Sequence, residues 1–359
     1  MTRGPKAVTE RAIGFGGLAL ALIAPLVFNA YWVDVILTQA LIVGIAAASM
    51  IFLAAYGGMI SLSQTMLMGA AGFMIGNMVT KGGAGGETKG LTLGWDPTLA
   101  LVLALAGTTL LGVLLGAVAA RSTGIYFLMI TLTYSVVGFY FVGQVTVVSG
   151  FSGIANINSY TPPFVGDIVE NRNRLYYIAL GVAIAVYAFI RFVIRTPFGL
   201  SLQGLRDEPV RMSSLGYAVP LHRTLAFGLA AFMAALAGIL LVWWQGQIAP
   251  GDIGLQATID LLIVAVIGGL TRVEGAWVGA LAFIVINNYI RDSWLTDLLD
   301  TVRIGGSFQT IIGLIFLVIV IVSPDGLMGA WDRLWGLRSG TDSGEGPSVT
   351  AIPAGEKLV

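Results

Sequence analysis

The sequence contains no cysteine and a single histidine, His222, and only 11% of its 359 residues are charged. Without cysteine, disulfides, thiolate metal sites and a cysteine nucleophile are excluded. One histidine cannot form an imidazole cluster that would hold a metal ion. The net charge is zero, so nothing predicts nucleic acid as a partner. These absences predict a chain with no catalytic residues, no metal and no cofactor.

A nucleotide-binding P-loop is also missing. The nearest similar stretch, GGAGGETKG at residues 82–90, has glycine after Lys89 where the motif needs serine or threonine. It also lacks the strand before it and the helix after it that a P-loop requires. If this chain takes part in an ATP-driven process, another polypeptide has to bind the ATP.

Apolar residues, in contrast, are abundant. They make up 57% of the chain, the mean hydropathy is +0.88, and there are 48 glycines. Soluble domains average roughly 45–50% apolar and about 25% charged residues. A helix needs about 20 apolar residues to cross a bilayer, and most of this sequence can be divided into such runs. The composition predicts an all-α polytopic membrane protein surrounded by membrane lipid.

Hydropathy predicts about ten transmembrane helices. We expect a transmembrane domain over residues 1–330 and a tail over 331–359 that is rich in Ser, Thr, Gly and Glu and disordered. The basic N-terminus precedes an apolar run without a small-residue cleavage site, which predicts an uncleaved first span. The predicted spans are 12–28, 34–55, 59–79, 98–120, 124–147, 175–194, 223–244, 255–270, 275–291 and 304–322.

Lysine and arginine are distributed unevenly between the predicted loops. With ten spans and the N-terminus inside, 13 of the 19 basic residues lie inside. This asymmetry obeys the positive-inside rule. It predicts that both termini and the loop 195–223 are cytoplasmic.

The loop 195–223 carries dense charge between two apolar runs. Pro197 and Gly199 are expected to end the preceding helix. Asp207 can cap a new short helix that has Pro209 in its first turn and ends at Gly216. Pro220 would prevent this helix from continuing. Apolar positions on it make it amphipathic, namely Leu205, Met212 and Leu215.

Two interpretations of this helix stay open. A solvated polar loop would satisfy the positive-inside rule without any further role. The combination of a capped helix, charges of both signs and apolar positions instead favours a contact with an external protein. A helix of this kind cannot transport a solute, but a partner can move it.

Neutral polar side chains are found within the apolar runs, where they can line a passage for a small zwitterionic or neutral solute. They can equally join helices, a use worth roughly 0.6 kcal/mol per bond. No titratable residue stands out near the middle of a span, as a proton- or sodium-coupled carrier would need. The residues assigned to the passage are Ser61, Gln64, Thr131, Thr133 and Tyr134.

Four stretches and one loop are similar to a known family. SLQGLRDEPVRMSSLGY at 201–217 resembles the cytoplasmic-loop segment of branched-chain amino acid ABC transporter permeases of the LivM type. YGGMISLSQTMLMGAAGF at 56–73, RSTGIYFLMITLTY at 121–134 and VIGGLTRVEGAWVGALAF at 266–283 resemble the same family. VSGFSGI at 148–154 resembles its glycine-containing outer loop. The matches follow the family's order over residues 56–292.

The resemblance implies the permease subunit of an ABC importer in the bacterial inner membrane, specific for branched-chain or related amino acids. It implies a second, LivH-type permease, two cytoplasmic ATP-binding subunits and an extracytoplasmic substrate-binding protein, which would dock around loops 148–174 and 245–254. Residues that fit the family's ATPase-coupling segment are Arg206, Asp207, Glu208, Arg211 and Gly216.

The loop departs from the family pattern in two places. Gly199-Leu200-Ser201 replaces the usual glycine-arginine start, and Pro209 interrupts the acidic stretch. These departures leave the particular ATPase partner open, while docking itself is expected to be kept. Residues 66–68, which include Met66 and Met68, also depart from the family pattern. That departure leaves the solute open, and urea and other amide permeases share this architecture. A stand-alone channel or ion-coupled carrier and a membrane-embedded enzyme are the alternatives from other classes.

Overall fold

The computed structural model describes residues 21–81, 90–291, 313, 317 and 326–329, except residues 26, 149, 164, 167, 169 and 170. These residues form helices joined by loops, and their β-structure is limited to two isolated bridges, Lys81 with Leu93 and Ile154 with Ile248. The predicted all-α class is therefore confirmed for this part of the chain.

The helices are numbered here in chain order from residue 32. Two 3-10 turns, Ile157–Ser159 and Pro250–Ile253, lie in the loops. The first helix begins as a π-helix over Trp32–Leu37. The helices are α1 (Trp32–Gly57), α2 (Gln64–Val79), α3 (Pro97–Ala119), α4 (Ile125–Gln144), α5 (Arg172–Val193), α6 (Pro197–Asp207), α7 (Pro209–Ser214), α8 (Val219–Gln245), α9 (Leu255–Gly268) and α10 (Gly275–Arg291).

Five of these helices are long and apolar enough to cross a membrane, namely α1, α3, α4, α5 and α8. They match the predicted spans 34–55, 98–120, 124–147, 175–194 and 223–244. The shorter helices α9 and α10 match 255–270 and 275–291. The predicted spans 12–28 and 304–322 lie largely outside the described residues, and the tail 331–359 lies wholly outside them.

The predicted helix at 59–79 begins five residues later than expected, at Gln64. Gly58 ends α1 in the left-handed conformation, at φ +64°, which glycine adopts without steric cost. The Met59 N–H then closes the last turn of α1 on the carbonyl of Leu53, at 3.0 Å. Residues 58–63 are irregular as a result, and we refer to them as the α1–α2 break.

Two helices, α1 and α8, form the centre of the molecule. Their most apolar windows are 72% and 78% buried, against 22% for α3 and 28% for α4. Helix α8 packs against α1, α2 and α3. Small residues allow this close approach, since a Cβ on Gly112 would lie 2.1 Å from the Cβ of Ala231. The core is therefore built on α1 and α8, and α3 and α4 are the most exposed of the long helices.

The connections fall at two ends of the bundle. The α7 end comprises residues 58–63, 120–124, 194–218 and 269–274. The opposite end comprises 246–254 and those residues of 80–96 and 145–171 that the structure describes. At the opposite end, the backbones of Ile154 and Ile248 exchange hydrogen bonds of 2.8 and 2.9 Å. At the α7 end, Glu274 accepts a hydrogen bond of 2.8 Å from Tyr187 and pairs with Arg191 at 3.6 Å. Each end is therefore tied together by contacts between distant parts of the chain.

Candidate functional site

The charged loop forms two short helices rather than one. Thr196 caps α6, its hydroxyl accepting from the Gly199 N–H at 3.3 Å, and Pro197 occupies the first turn. The prediction that Asp207 caps the short helix is wrong, because Asp207 is the last residue of α6 and Glu208 precedes α7. Proline disfavours the helical conformation in the residue before it, so Pro209 places the break at Glu208, at φ −141°.

The predicted end of α7 is confirmed. Gly216 has φ +91°, and the Tyr217 N–H reaches back to the carbonyl of Met212 at 3.1 Å, a glycine-terminated C-cap. Pro220 lies in the first turn of α8, which begins at Val219 instead of residue 223. In that position the missing N–H of proline leaves no backbone partner unpaired.

Helix α7 buries none of its side chains. Val210 is 78% exposed, and Leu215, directly after the helix, is 66% exposed. Arg211 is exposed between them. Leu205, which the sequence placed with Met212 and Leu215 on one apolar face, is instead 1% exposed in the core. Exposed apolar side chains around an arginine are typical of a surface that another protein covers.

The residues predicted to couple to an ATPase differ in their surroundings. Asp207, Glu208, Arg211 and Gly216 are all exposed. Arg206 is exposed as well, with 41% of its side chain accessible, but its Nη1 donates to the carbonyl of Ala55 in α1, while its Nε donates to Asp207 at 2.8 Å. The segment thus has an outward face on α7 and an inward contact on α6.

Three rings connect the two ends of this segment. Phe198 at the start of α6 stacks on His222 in α8, with the ring centroids 5.7 Å apart. Tyr217, after α7, meets the same imidazole edge-on at 5.7 Å. Such ring pairs are worth about 0.5–1.5 kcal/mol beyond their buried area. The α6–α7 segment is therefore attached at both of its ends to the first turn of α8.

A chain of buried polar groups surrounds the α1–α2 break. The Gln64 amide donates to Ser61 at 3.3 Å and accepts from Ser49 at 3.1 Å. Ser61 also lies 3.0 Å from the hydroxyl of Ser63. Ser49 precedes the end of α1 by eight residues, or about 12 Å along a helix. The side chain of Gln64 thus reaches back to the level of Ser49, so the break folds back into the protein, where irregular backbone is tolerated at membrane depth.

The predicted passage residues do not all meet. Thr131 joins Ser61 and Gln64 at the α1–α2 break, since its hydroxyl accepts from the Leu62 N–H at 3.1 Å. Tyr134 instead donates to the carbonyl of Leu115 in α3 at 3.2 Å. Thr133 is exposed on α4 and bonds to its own helix at Met129. The geometry brings together three of the five and leaves Thr133 and Tyr134 elsewhere on α4.

Three hydroxyls from three helices form a further cluster that the sequence did not predict. Thr258 of α9 lies 2.7 Å from Thr65 of α2 and 2.8 Å from Ser135 of α4, measured between the hydroxyl oxygens. Ser135 also contacts the carbonyl of Ile253 at 3.3 Å. A threonine within the apolar run 255–268 was the available signal, but its partners are 123 and 193 residues away in sequence.

A cavity of about 240 Å³ lies between α2, α3 and α4 and is linked to this cluster through Ile253, whose carbonyl Ser135 contacts. Its lining is nearly all apolar and includes Met66, Met74, Gly138 and Ile253. Its amide, Asn77, is already occupied, because it donates to the Phe73 carbonyl and accepts from the Leu91 N–H, both at 2.8 Å. The cavity suits an aliphatic group next to a polar cluster. Methionine side chains adapt well to such groups.

At the opposite end, Asp252 fixes the loop between α8 and α9. Its carboxylate accepts from the Ala249 N–H at 2.8 Å. Burial raises the pKa of Asp252, although hydrogen bonds from Ala249 and Gln245 act against this. Among the residues that the structure describes, no group of three acidic, histidine or cysteine side chains is placed to hold a metal ion.

Comparison with known proteins gives the same assignment for most of the chain. Residues 33–322 match the family described as "Branched-chain amino acid transport system / permease component". The permease protein LivM of Salmonella typhimurium is 24% identical over 69% of this chain and 60% of its own length. The permease protein LivH of Escherichia coli is 25% identical over 46% of this chain and 50% of its own length. A probable LivM of Methanocaldococcus jannaschii is 22% identical over 64% of this chain and 68% of its own length.

The chain spans about 60% of the length of the Salmonella relative and 38% of the Escherichia coli LivM. No solved structure matches it significantly. The family match nevertheless extends over more than two thirds of the residues and includes every helix from α2 to α10. This multi-pass chain thus belongs to the family of permease components of branched-chain amino acid transport systems.

Proposed function

We propose that this chain is the membrane-spanning permease subunit of an ATP-driven importer of branched-chain or related amino acids in a bacterial inner membrane. The observation that carries the proposal is α7, a six-residue helix between two spans that buries no side chain. An exposed helix with apolar and charged side chains, at one end of a transport protein, is suited to binding an ATPase subunit. This chain has no nucleotide-binding motif of its own.

The outward face of α7 is the proposed docking surface for the ATP-binding subunits. Its arginine, Arg211, and the acidic pair Asp207 and Glu208 supply charge, and Val210 and Leu215 supply apolar area. Closure of two ATPases on ATP would favour one position of this helix over another. Transport direction would follow from that differential binding, since a ligand shifts an equilibrium only by binding its states unequally.

The proposed topology has ten spans with both termini in the cytoplasm. It places the α7 end inside, where most lysines and arginines belong under the positive-inside rule. The opposite end then faces outward and offers loops 145–171 and 246–254 to a substrate-binding protein. The largely unburied faces of α3 and α4 leave room for a second, LivH-type permease as well as for lipid.

The proposed passage follows the polar groups of the α1–α2 break, with Ser61, Gln64 and Thr131 at its centre. The predicted passage roles of Thr133, on the exposed face of α4, and of Tyr134, between α4 and α3, remain part of the proposal. The amino and carboxyl groups of an amino acid require hydrogen-bonding partners, and the apolar cavity between α2, α3 and α4 would accept a branched aliphatic side chain. Urea has no such side chain, so the cavity favours branched-chain amino acids over urea.

The docking surface is tested with the complete complex, produced by co-expression with its ATP-binding subunits. We expect Arg211→Glu to abolish co-purification of the ATPases, because it reverses a central charge. Arg121→Glu is the matched control, since it reverses an exposed charge at the same end, on the turn between α3 and α4. Retention of the ATPases by Arg211→Glu together with normal uptake would refute docking through α7.

The solute is tested by uptake into proteoliposomes that contain the complex and its binding protein. Labelled leucine should enter with ATP inside, and unlabelled isoleucine or valine should compete with it. Urea should neither enter nor compete. Entry of leucine through the purified chain alone would instead favour a stand-alone channel or carrier.

A further inference from the structure

Arg206 lies in the last turn of α6, yet its side chain contacts α1. Its guanidinium donates to the carbonyl of Ala55, a buried residue in the last turn of α1. Carbonyls in the last turn of a helix lack partners within the helix and carry the negative end of its dipole. A cation that also donates a hydrogen bond to such a carbonyl stabilises the helix end in both ways. Arg206 therefore caps α1 from another helix.

The packing around this contact is close. At Gly58, the first residue of the α1–α2 break, a Cβ would lie only 2.6 Å from the Cγ of Arg206. Leu202, one turn earlier on α6, is fully buried and lies next to Gly57. The inner face of α6 therefore rests directly on the point where α1 ends.

The α1–α2 break is connected in turn to the proposed passage. Within six residues of Gly58 are Ser61 and Gln64, which bond to each other and, through Gln64, to Ser49 of α1. The Leu62 N–H bonds to Thr131 of α4. A displacement of the break would therefore alter the contacts of α1, α2 and α4 at once.

Helices α6 and α7 are suited to move together. They are separated only by Glu208, and the sulfur of Met212 on α7 would lie 3.0 Å from a Cβ on Gly204 of α6. A displacement of α7 by a bound partner would therefore also displace α6 and the contact between Arg206 and Ala55.

We propose that Arg206 is a positioning residue that transmits movement of α6 and α7 to the α1–α2 break, and that it is not a contact for the ATPase. This inference rests on the proposed function, because it requires a motor that acts on α7. It divides the charged segment into two roles, with docking by the outer face around Arg211 and transmission by Arg206. A guanidinium is suited to transmitting this movement, because its several N–H donors bond Ala55 of α1 and Asp207 of α6 at the same time.

The absence of cysteine in this chain makes a direct test possible. Ile60→Cys introduces one thiol at a half-buried position in the break. Labelling of this chain by a membrane-permeant maleimide is then compared in the complete complex, without nucleotide and after trapping with ATP and vanadate. We expect the labelling rate to differ at least about fivefold between the two states, the lower range of measured couplings between sites.

Adding Arg206→Met, which keeps the aliphatic stem but removes the donors, should abolish that difference. The ATPases should still co-purify and hydrolyse ATP. Leucine transported per ATP should fall about tenfold, as expected from loss of a charge-assisted hydrogen bond. Loss of the ATPases from this variant would show a docking role and overturn the proposal. An unchanged labelling difference with the ATPases bound would overturn it equally.

Two further variants keep the test decisive. Arg206→Lys retains the charge but not the guanidinium, so it should give a partial labelling difference, and it replaces Arg206→Met if that variant does not accumulate in the membrane. Arg211→Met should release the ATPases. If the ATPases stay bound to Arg211→Met, docking through Arg211, which belongs to the proposed function, is refuted. The labelling difference with and without Arg206 still decides whether Arg206 transmits movement to the α1–α2 break.

Discussion

At the scale of single residues, several buried hydroxyls and amides hold helices together in the described part of the chain. Ser49 and Gln64 join α1 to α2, and Thr258 joins α9 to both α2 and α4. Buried polar groups are costly unless paired, so each of these bonds specifies where two helices meet. The same groups can exchange partners with a polar solute only if the helices separate.

Thr258→Val should lower stability, because it removes the hydroxyl that Thr65 and Ser135 share without changing the side-chain shape. With about 0.6 kcal/mol per interhelical bond, we expect a loss of roughly 1–2 kcal/mol. The midpoint of thermal unfolding in detergent measures it. Thr133→Val is the matched control, since Thr133 is exposed and bonds only within α4, and its midpoint should not change. Equal midpoints for the two variants would contradict a role for the cluster.

Asp96 should give a small pH-dependent contribution to stability. It caps α3, accepting from the Thr98 N–H at 2.8 Å, and this bond holds the pKa of its carboxyl below the usual value. A carboxyl whose pKa is lower in the folded than in the unfolded state stabilises the fold at pH values above the unfolded-state pKa. This stabilisation is lost as the pH falls through the folded-state pKa. Asp96→Asn keeps a capping side chain without the charge. Its difference from the unmodified protein should therefore vanish in acid, and a difference that grows in acid would contradict the assignment.

At the scale of helices, glycine sets how closely α8 approaches its neighbours. A Cβ on Gly238 would lie 1.9 Å from the backbone carbonyl of Met68 on α2. Backbone cannot give way as a flexible side chain can. Packing between small residues drives helix association in lipid, where no hydrophobic force acts between helices. The position of α2 against α8 thus depends on this glycine.

Gly238→Ala should push α2 and α8 apart. We expect it to lower the stability of the fold by about 1–3 kcal/mol, as in an overpacked core, and so to reduce the amount of folded chain in the membrane. Gly181→Ala in α5 is the matched control, because nothing lies within 4 Å of a Cβ there. Alanine is the better helix former, so this control should gain up to about 1 kcal/mol. Thermal unfolding in detergent compares the two. A neutral Gly238→Ala would show that α2 and α8 can separate freely.

At the scale of the whole molecule, the two ends of the bundle are predicted to face opposite sides of the membrane. The absence of cysteine allows single thiols to report this. Ser214→Cys lies at the α7 end and Thr146→Cys at the opposite end, and both positions are exposed.

In intact cells, a membrane-impermeant maleimide should label Thr146→Cys and should reach Ser214→Cys only after lysis. This outcome follows from the positive-inside rule. Labelling of Ser214→Cys from outside would reverse the topology, and with it the cytoplasmic attachment of any ATPase. A permeant maleimide that labels both thiols serves as the control for accessibility.

The sequence by itself determined the class of protein and the position of most helices. Runs of apolar residues predict long spans independently of their neighbours, and Pro197, Pro209 and Gly216 punctuate the charged loop through their own backbone preferences. These effects are local, so one sequence shows them. Even the mistaken cap at Asp207 erred by a single residue, because proline acts on the residue before it.

Only the tertiary structure decided which polar groups meet. Gln64 and Thr131 are brought together at the α1–α2 break, Thr133 faces away, and Thr258 bonds to residues more than 120 positions distant. Arg206 is exposed, as its place in the charged loop predicts, but it also donates to a backbone carbonyl of α1, a contact that no pattern of side chains predicts. Contacts of this kind depend on how helices pack in three dimensions, and packing is a property of the assembled bundle rather than of any segment.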